Sequence, residues 1–360
     1  MPRVVGIDPG TVSIDLCGLD DGFVFLDHSW PSAEALADPA RFIARLEAAG
    51  PLDLVAGPSG YGLPVKRARD ASEEDLRLAF LAAPGEAGGI GGLRALVRAL
   101  GASTLPVVLT PGVVHLSTVP ALRKVNRVDM GTADKVCAAA LAIAEHARRF
   151  GRPLTEVSLV LVELGGAFTA AVAVRGGRIV DGVGGTAGPL GFRAAGALDG
   201  EVAYLAGEVS KAMLFQGGAA AVAWGETGAS PDRFGHPSTP AEEIAVAAFV
   251  ESAVKAALAL ASSVPSPKEF VLSGRLAHVD AVGRAIRERL EVFAPTRLLE
   301  GFAQTAKEGA QGAALIADGL AGGANRELVE LLGIREARGT VLDHLYVIRR
   351  EQALHRLGLS

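Results

Sequence analysis

The stretch Val4-Val5-Gly6-Ile7-Asp8-Pro9-Gly10-Thr11 is answered half a chain later by Val160-Leu161-Val162-Glu163-Leu164-Gly165-Gly166-Ala167-Phe168-Thr169, and again by Phe270-Val271-Leu272-Ser273-Gly274-Arg275. Each is an apolar strand running into a tight turn whose backbone N–H groups can face an anion, and the first two carry a carboxylate where the strand ends. Outward from Asp8, the chain reads as a strand over 3–8, a Pro9-Gly10 turn, a strand over 14–19, an Asp20-Asp21-Gly22 turn and a strand over 23–26. The same meander returns over 158–163, 168–174 and 178–181, with Gly165-Gly166 and Arg175-Gly176-Gly177 at its bends. Strand, acid, glycine and strand recur in one order in both halves, which marks an internal duplication.

Between and after these meanders, apolar spacing predicts helices over 33–48, 73–83, 92–100 and 130–150, with short strands over 52–56 and 106–109 and a Gly/Pro-rich loop over 57–70. The second half adds helices over 199–215, 240–263, 278–292 and 304–321, a strand over 269–273, and a largely helical tail read as an accessory cap. At 360 residues the chain exceeds what one core usually accommodates. The expectation is an α/β protein with domains at 1–130 and 131–322 and a C-terminal extension at 323–360.

With 49% hydrophobic residues and a formal net charge of −5, the composition is that of a compact soluble α/β protein. Short basic runs such as Lys66-Arg67-Ala68-Arg69 read as solvated faces, so no nucleic-acid partner is expected. The longest apolar helix contains Glu251 and Lys255 and reads as a core helix, not a membrane span. No charged-then-apolar leader opens the sequence, so the expected compartment is the cytoplasm. Cys17 and Cys137 read as packed thiols, His115 as a core histidine, and no His/Cys spacing points to zinc.

A carboxylate and an amide cradle, once per half, suit a magnesium nucleotide. The pattern resembles the actin, Hsp70 and sugar-kinase superfamily, in which two related ribonuclease-H-like domains clamp ATP between them. That resemblance implies ATP and Mg²⁺ as cofactors. It carries Asp8 over to hold a metal-bound water, with Gly10, Thr11 and Ser13 facing the terminal phosphates. Glu163, Gly165 and Gly166 become the second phosphate loop, Glu163 serving as the second metal carboxylate, and Ser273, Gly274 and Arg275 stand where relatives meet the adenosine. On the residues alone, Asp8-Pro9-Gly10 is also common turn chemistry, and the paired glycines equally suit a hairpin. Neither reading explains an acid at the end of the buried run Leu159-Val160-Leu161-Val162.

Two further segments invite chemistry. The glycine-dense run from Asp181 to Gly191 offers Gly184, Gly185 and Thr186 for phosphate or substrate contact. Arg127 and Asp129 lie in a charged stretch before the long helix. Arg127 is expected as the cation on the transferring phosphoryl group, and Asp129 as the acid orienting Arg127, magnesium or a hydroxyl acceptor.

More narrowly, Ile7-Asp8-Pro9-Gly10-Thr11-Val12-Ser13 resembles the Asn-Pro-Gly-Ser-Thr-Ser start of acetate and butyrate kinases, with Asp in place of Asn. The layout of residues 1–322 resembles a branch described as predicted butyrate kinases. This implies reversible phosphorylation of a small carboxylate by ATP to an acyl phosphate, and by analogy a homodimer through the C-terminal domain. Asp8 departs from that pattern by adding a charge beside the phosphates, and the paired arginines and histidine of acetate kinases find no match. Two rivals stay open: a sugar or polyol kinase using Asp129 or Asp134 as base, and a nucleotide-binding regulator or scaffold without turnover.

Overall fold

The computed structural model describes residues 2–85, 92–225 and 230–359. Strand β1 (Arg3–Pro9) is buried from Val4 through Asp8, as a strand inside a sheet must be when both its faces are covered. It pairs antiparallel with β2 (Ser13–Asp20) and parallel with β4 (Leu54–Gly57). With β3 (Phe23–Pro31), β5 (Lys66–Arg67) and β6 (Val107–Leu109), the first sheet runs β3-β2-β1-β4-β6-β5.

The second sheet repeats this plan. Strand β7 (Ser158–Leu164) pairs antiparallel with β8 (Thr169–Arg175) and parallel with β10 (Glu269–Ser273). With β9 (Arg178–Val183) and β11 (Thr296–Leu298), the order is β11-β10-β7-β8-β9. Read from the meander side, five strands match one to one. Both second strands also slip register against the third, at Gly18/Leu19 and at Ala173/Val174. The hairpin bends agree as well: Asp21 and Gly22 sit at φ 53° and 81°, Gly176 and Gly177 at 60° and 70°. Two successive positive φ values give the turn whose twist suits a two-residue hairpin.

Two helices, Ala133–Phe150 and Glu308–Leu320, pack on each other between the sheets. The Glu308–Leu320 helix lies on β1, although its place in the sequence belongs to the second half. Glycine makes both contacts close. A Cβ on Gly6 would lie 2.2 Å from the Ala314 nitrogen, and one on Gly312 would lie 1.7 Å from the Cys137 carbonyl oxygen. The Pro240–Ala261 helix has the length and mean hydropathy to cross a membrane, yet it packs Phe249, Val250 and Ala253 into a second core with Phe192, Phe234 and Phe270. Cys17 and Cys137 are free, buried thiols, and burial pushes Cys17 up to about 12.

Several segments differ from the expectation. The helix over 33–48 is two helices, Ser32–Ala37 and Pro39–Glu47, because Asp38 accepts from the Arg41 N–H and Pro39 starts a new first turn. The helix over 199–215 stops at Ala206, where Gly207 turns to φ 72°. Among its described residues the tail is helical only at Arg326–Leu332 and Arg350–Arg356, since Gly333 and Gly339 take positive φ and fold it back. Its Leu328, Leu332, Ile334, Val341 and Leu357 join the main core, so the tail is part of the body of the molecule.

Candidate functional site

The end of β1 and the start of β2 build one wall of a cavity of about 420 Å³. Gly10 N–H closes the turn on the Asp8 carbonyl at 3.2 Å, and Ser32 braces it, its Oγ donating to the Gly10 carbonyl at 2.7 Å. Asp8 is buried, and its side chain accepts no hydrogen bond among the described residues. Burial first, and the charge of Asp134 next, push its carboxyl well above the usual range, against the pull of Lys307 and Lys135.

Lys307, at the N-terminal cap of the Glu308–Leu320 helix, reaches back to this wall. Its Nζ lies 3.0 Å from Asp15 Oδ2 and donates to Ser13 Oγ. Ser13 Oγ in turn donates to Asp15 at 2.9 Å. A Cβ on Gly10 would lie 3.2 Å from the ammonium, so the cation stands at the glycine turn itself. Gly309 lets the first turn of the same helix abut Asp8, whose Cγ is 2.6 Å from where a Cβ would sit.

The opposite wall comes from the other sheet. Gly165 N–H donates to the Phe168 carbonyl at 2.9 Å, shaping the turn after Glu163. Lys135, in the first turn of the Ala133–Phe150 helix, donates to Glu163 Oε1 at 2.5 Å and to Asp134 Oδ2 at 2.6 Å. Burial alone would lower this ammonium, but the two carboxylates carry it above its ordinary value. Glu163 is pushed up by burial, with Lys135 opposing. The two walls meet: a Cβ on Gly166 would stand 3.9 Å from Val12 Cγ2. The third turn joins them, since Gly274, at φ 81°, packs against the Leu164 carbonyl and Glu163 Cγ. Glu308 is raised by burial but held lower on balance by His278 and by the Gly274 N–H.

Of the residues singled out in the sequence, the cavity gathers Asp8, Gly10, Thr11, Ser13, Asp129, Glu163, Gly165, Gly166, Gly185, Thr186, Gly274 and Arg275. It does not gather Ser273, which is buried in β10 with its hydroxyl unpartnered, or Gly184. Nor does it gather Arg127, which is exposed and lines a separate groove.

The glycines after β9 serve packing. A Cβ on Gly184 would fall 1.6 Å from Asp129 Oδ1, and one on Gly185 would fall 2.4 Å from Phe168 Cβ. Asp129 pairs with this loop and not with Arg127. Its Oδ2 accepts from the Thr186 N–H at 2.9 Å and hydroxyl at 2.8 Å, and its Oδ1 accepts from the Gly131 N–H at 3.2 Å.

Sequence reasoning missed the cations Lys135 and Lys307. One signal was available for Lys307: Asp15 sits between Ile14 and Leu16 in an apolar strand, and a charge there calls for a buried partner.

Two sheets of duplicated ribonuclease-H-like topology, with glycine turns facing across a cleft, define the actin-like ATPase fold, the fold of the actin, Hsp70 and sugar-kinase superfamily. The chain itself belongs to the family described as "Protein of unknown function (DUF1464)", whose model matches residues 6–347. No curated protein matches it. Among solved structures, a propionate kinase from Francisella tularensis superposes with TM-score 0.64 at 11% identity, covering 87% of this chain and 98% of that one. Acetate kinase from Entamoeba histolytica gives TM-score 0.59 at 11% identity over 81% of this chain and 86% of that one. Acetate kinase from Porphyromonas gingivalis gives 0.57 at 13% over 81% and 88%. At such identities the likeness is one of fold.

Proposed function

We propose that this protein is a kinase that transfers the γ-phosphoryl group of ATP to a small carboxylate. One carboxylate oxygen of the acceptor attacks the γ-phosphorus, the bond to the β–γ bridging oxygen breaks, and an acyl phosphate and ADP leave. The observation that carries the acceptor class is the state of Asp129. A hydroxyl acceptor needs a base, and both oxygens of Asp129 are already committed to Gly131 and Thr186. Asp134 is likewise held by Lys135 and Thr132. A carboxylate arrives ionised and needs only positive charge and alignment.

Lys307 supplies that charge at the Gly10 turn, while Lys135 fixes Glu163 and with it the second turn. Glycine at both bends lets backbone N–H groups approach phosphate oxygens. The residues present also fit Mg²⁺. That ion takes one or two carboxylates and keeps its other positions for water and phosphate, and Asp8 is a buried carboxylate whose oxygens accept no hydrogen bond among the described residues. Asp8 would hold the ion or its water shell, with Glu163 as the second carboxylate, and the bound ion would offset charge on the transferring phosphates.

The deciding experiment measures ADP release over a panel of short carboxylates and polyols, with hydroxylamine added to trap acyl phosphate. Hydroxamate formed from acetate, propionate or butyrate supports the reading. Turnover confined to polyols moves the assignment to a sugar or polyol kinase, and no turnover on any acceptor points to a nucleotide-binding regulator.

A further inference from the structure

Arg127 lies outside the cleft, and the place where it does lie has the makings of a second site. A groove of about 510 Å³ opens on the far side of the loop that follows β9. Its rim carries Arg123, Arg127 and Lys255, and its floor is apolar, with Val183, Pro189 and Leu260.

The rim cations differ in how far they are engaged. Arg123 is anchored: its Nη1 donates to the Val180 carbonyl at 2.7 Å, and its Nε lies 3.5 Å from Asp181 Oδ2. Asp181, the acid lining the groove, is itself occupied, accepting from Ser263 Oγ at 2.6 Å and from the Gly182 N–H at 2.9 Å. Among the described residues Lys255 pairs only with Glu251 one turn back, and both side chains are mostly exposed. Such a pair is worth a few tenths of a kcal/mol and exchanges readily for another anion. The side chain of Arg127 makes no hydrogen bond or ion pair among the described residues. Set against Asp181 and Glu251, the three cations leave one unmatched positive charge at the groove, that of Arg127, on a molecule whose formal net charge is −5.

We propose that this groove is a second ligand site, built for a small amphiphilic anion: a carboxylate or phosphate monoester head on a short aliphatic body. A guanidinium with its donors unengaged reads the oxyanion in bidentate fashion, and the apolar floor takes the body. The two cavities share the loop after β9 as a wall. Val183 and Pro189 face the groove, whereas Gly185 and Thr186, between them in sequence, face the cleft. Arg127 stands two residues before Asp129, which holds Thr186.

The test is a methyl NMR titration of the full chain, following Leu260, Ala256 and Ala259 on the groove side, with hexanoate, hexyl phosphate, inorganic phosphate and hexanol as probes. The first two are expected to shift these methyls, and inorganic phosphate and hexanol to bind at least tenfold more weakly. Arg127 is exposed, so R127Q keeps the fold. It should weaken hexanoate and hexyl phosphate by roughly tenfold or more, as loss of a charge-assisted contact does. Whichever of the two binds more tightly identifies the head group. Absence of shifts at these methyls, equal affinity in R127Q, or inorganic phosphate binding as well as hexyl phosphate would overturn the proposal. Asp8→Ala separates it from the kinase reading, because groove binding should persist in that variant whatever happens to phosphotransfer.

Discussion

Lys307 reaches Ser13, at the end of the Gly10 turn, from 294 positions away, and nothing local in Thr305-Ala306-Lys307-Glu308 distinguishes it from any helix start. Asp8, Gly10 and Glu163 were legible because strand, acid and glycine are neighbours in sequence. The cations that complete the site were not, because tertiary packing alone brings them in. The Lys307–Asp15 pair lets the two roles of Lys307 be separated. Lys307→Met leaves Asp15 buried without its cation, which should cost roughly 1–3 kcal/mol of stability and lower turnover by about 10². Adding Asp15→Asn should restore most of the stability in urea unfolding and none of the turnover. Recovery of turnover in the double variant would make Lys307 a structural residue only. Asp8 behaves in the opposite way. Since burial and Asp134 both disfavour its charge, Asp8→Asn should keep or raise the thermal midpoint while ADP release falls by roughly 10²–10³.

At the scale of elements, the meanders were readable because each bend has its own chemistry, Asp21-Gly22 in one half and Gly176-Gly177 in the other. Strands β5 and β11 escaped, being two and three residues long, with polar side chains at all positions but Leu298, and held by their neighbours. The sequence also could not show that the Glu308–Leu320 helix crosses back onto β1; its glycines identify a close approach but not the partner. Gly312→Ala tests that contact. In an open helix the change gains up to about 1 kcal/mol of propensity. Here the new Cβ would meet the Cys137 carbonyl at 1.7 Å, and overpacking of that kind costs about 1–3 kcal/mol. Urea midpoints should therefore fall for Gly312→Ala. They should hold or rise for Gly200→Ala, where a Cβ meets nothing within 4 Å and φ needs no glycine. Equal midpoints would mean that the two helices do not pack as described.

For the molecule as a whole, His115 couples folding to pH. Its neighbours Val113, Val114 and Leu116 belong to the main core, which joins the first sheet, both central helices and the tail, and Arg338 N–H donates to the His115 carbonyl at 3.1 Å. The imidazole is 2% exposed, and its Nδ1 has no partner. Burial lowers its pKa from 6.5 to about 4, with Lys124 adding to the effect and a contact with the Gly112 backbone opposing it. Between those values the unfolded chain binds a proton that the folded chain refuses, so stability rises with pH through this window. Acidification from pH 7 to pH 4 should lower it by about 3 kcal/mol through this residue. Asp8 and Glu163, both raised by burial, hold protons in the folded chain that the unfolded chain releases above their ordinary values, and so oppose this slope. Glu269 is pushed up by burial but held below 4.5 by His146 and Arg297, so its contribution is present above that value and lost only at lower pH. His278, raised by Glu308, contributes below 6.5 and loses that contribution as pH climbs through its folded value. Urea unfolding at half-unit steps from pH 4.5 to 7 should thus show a rise of stability with pH that is smaller in His115→Gln than in the wild-type chain. An unchanged slope in that variant would place the proton on another group and would mean that the core around His115 is open to water.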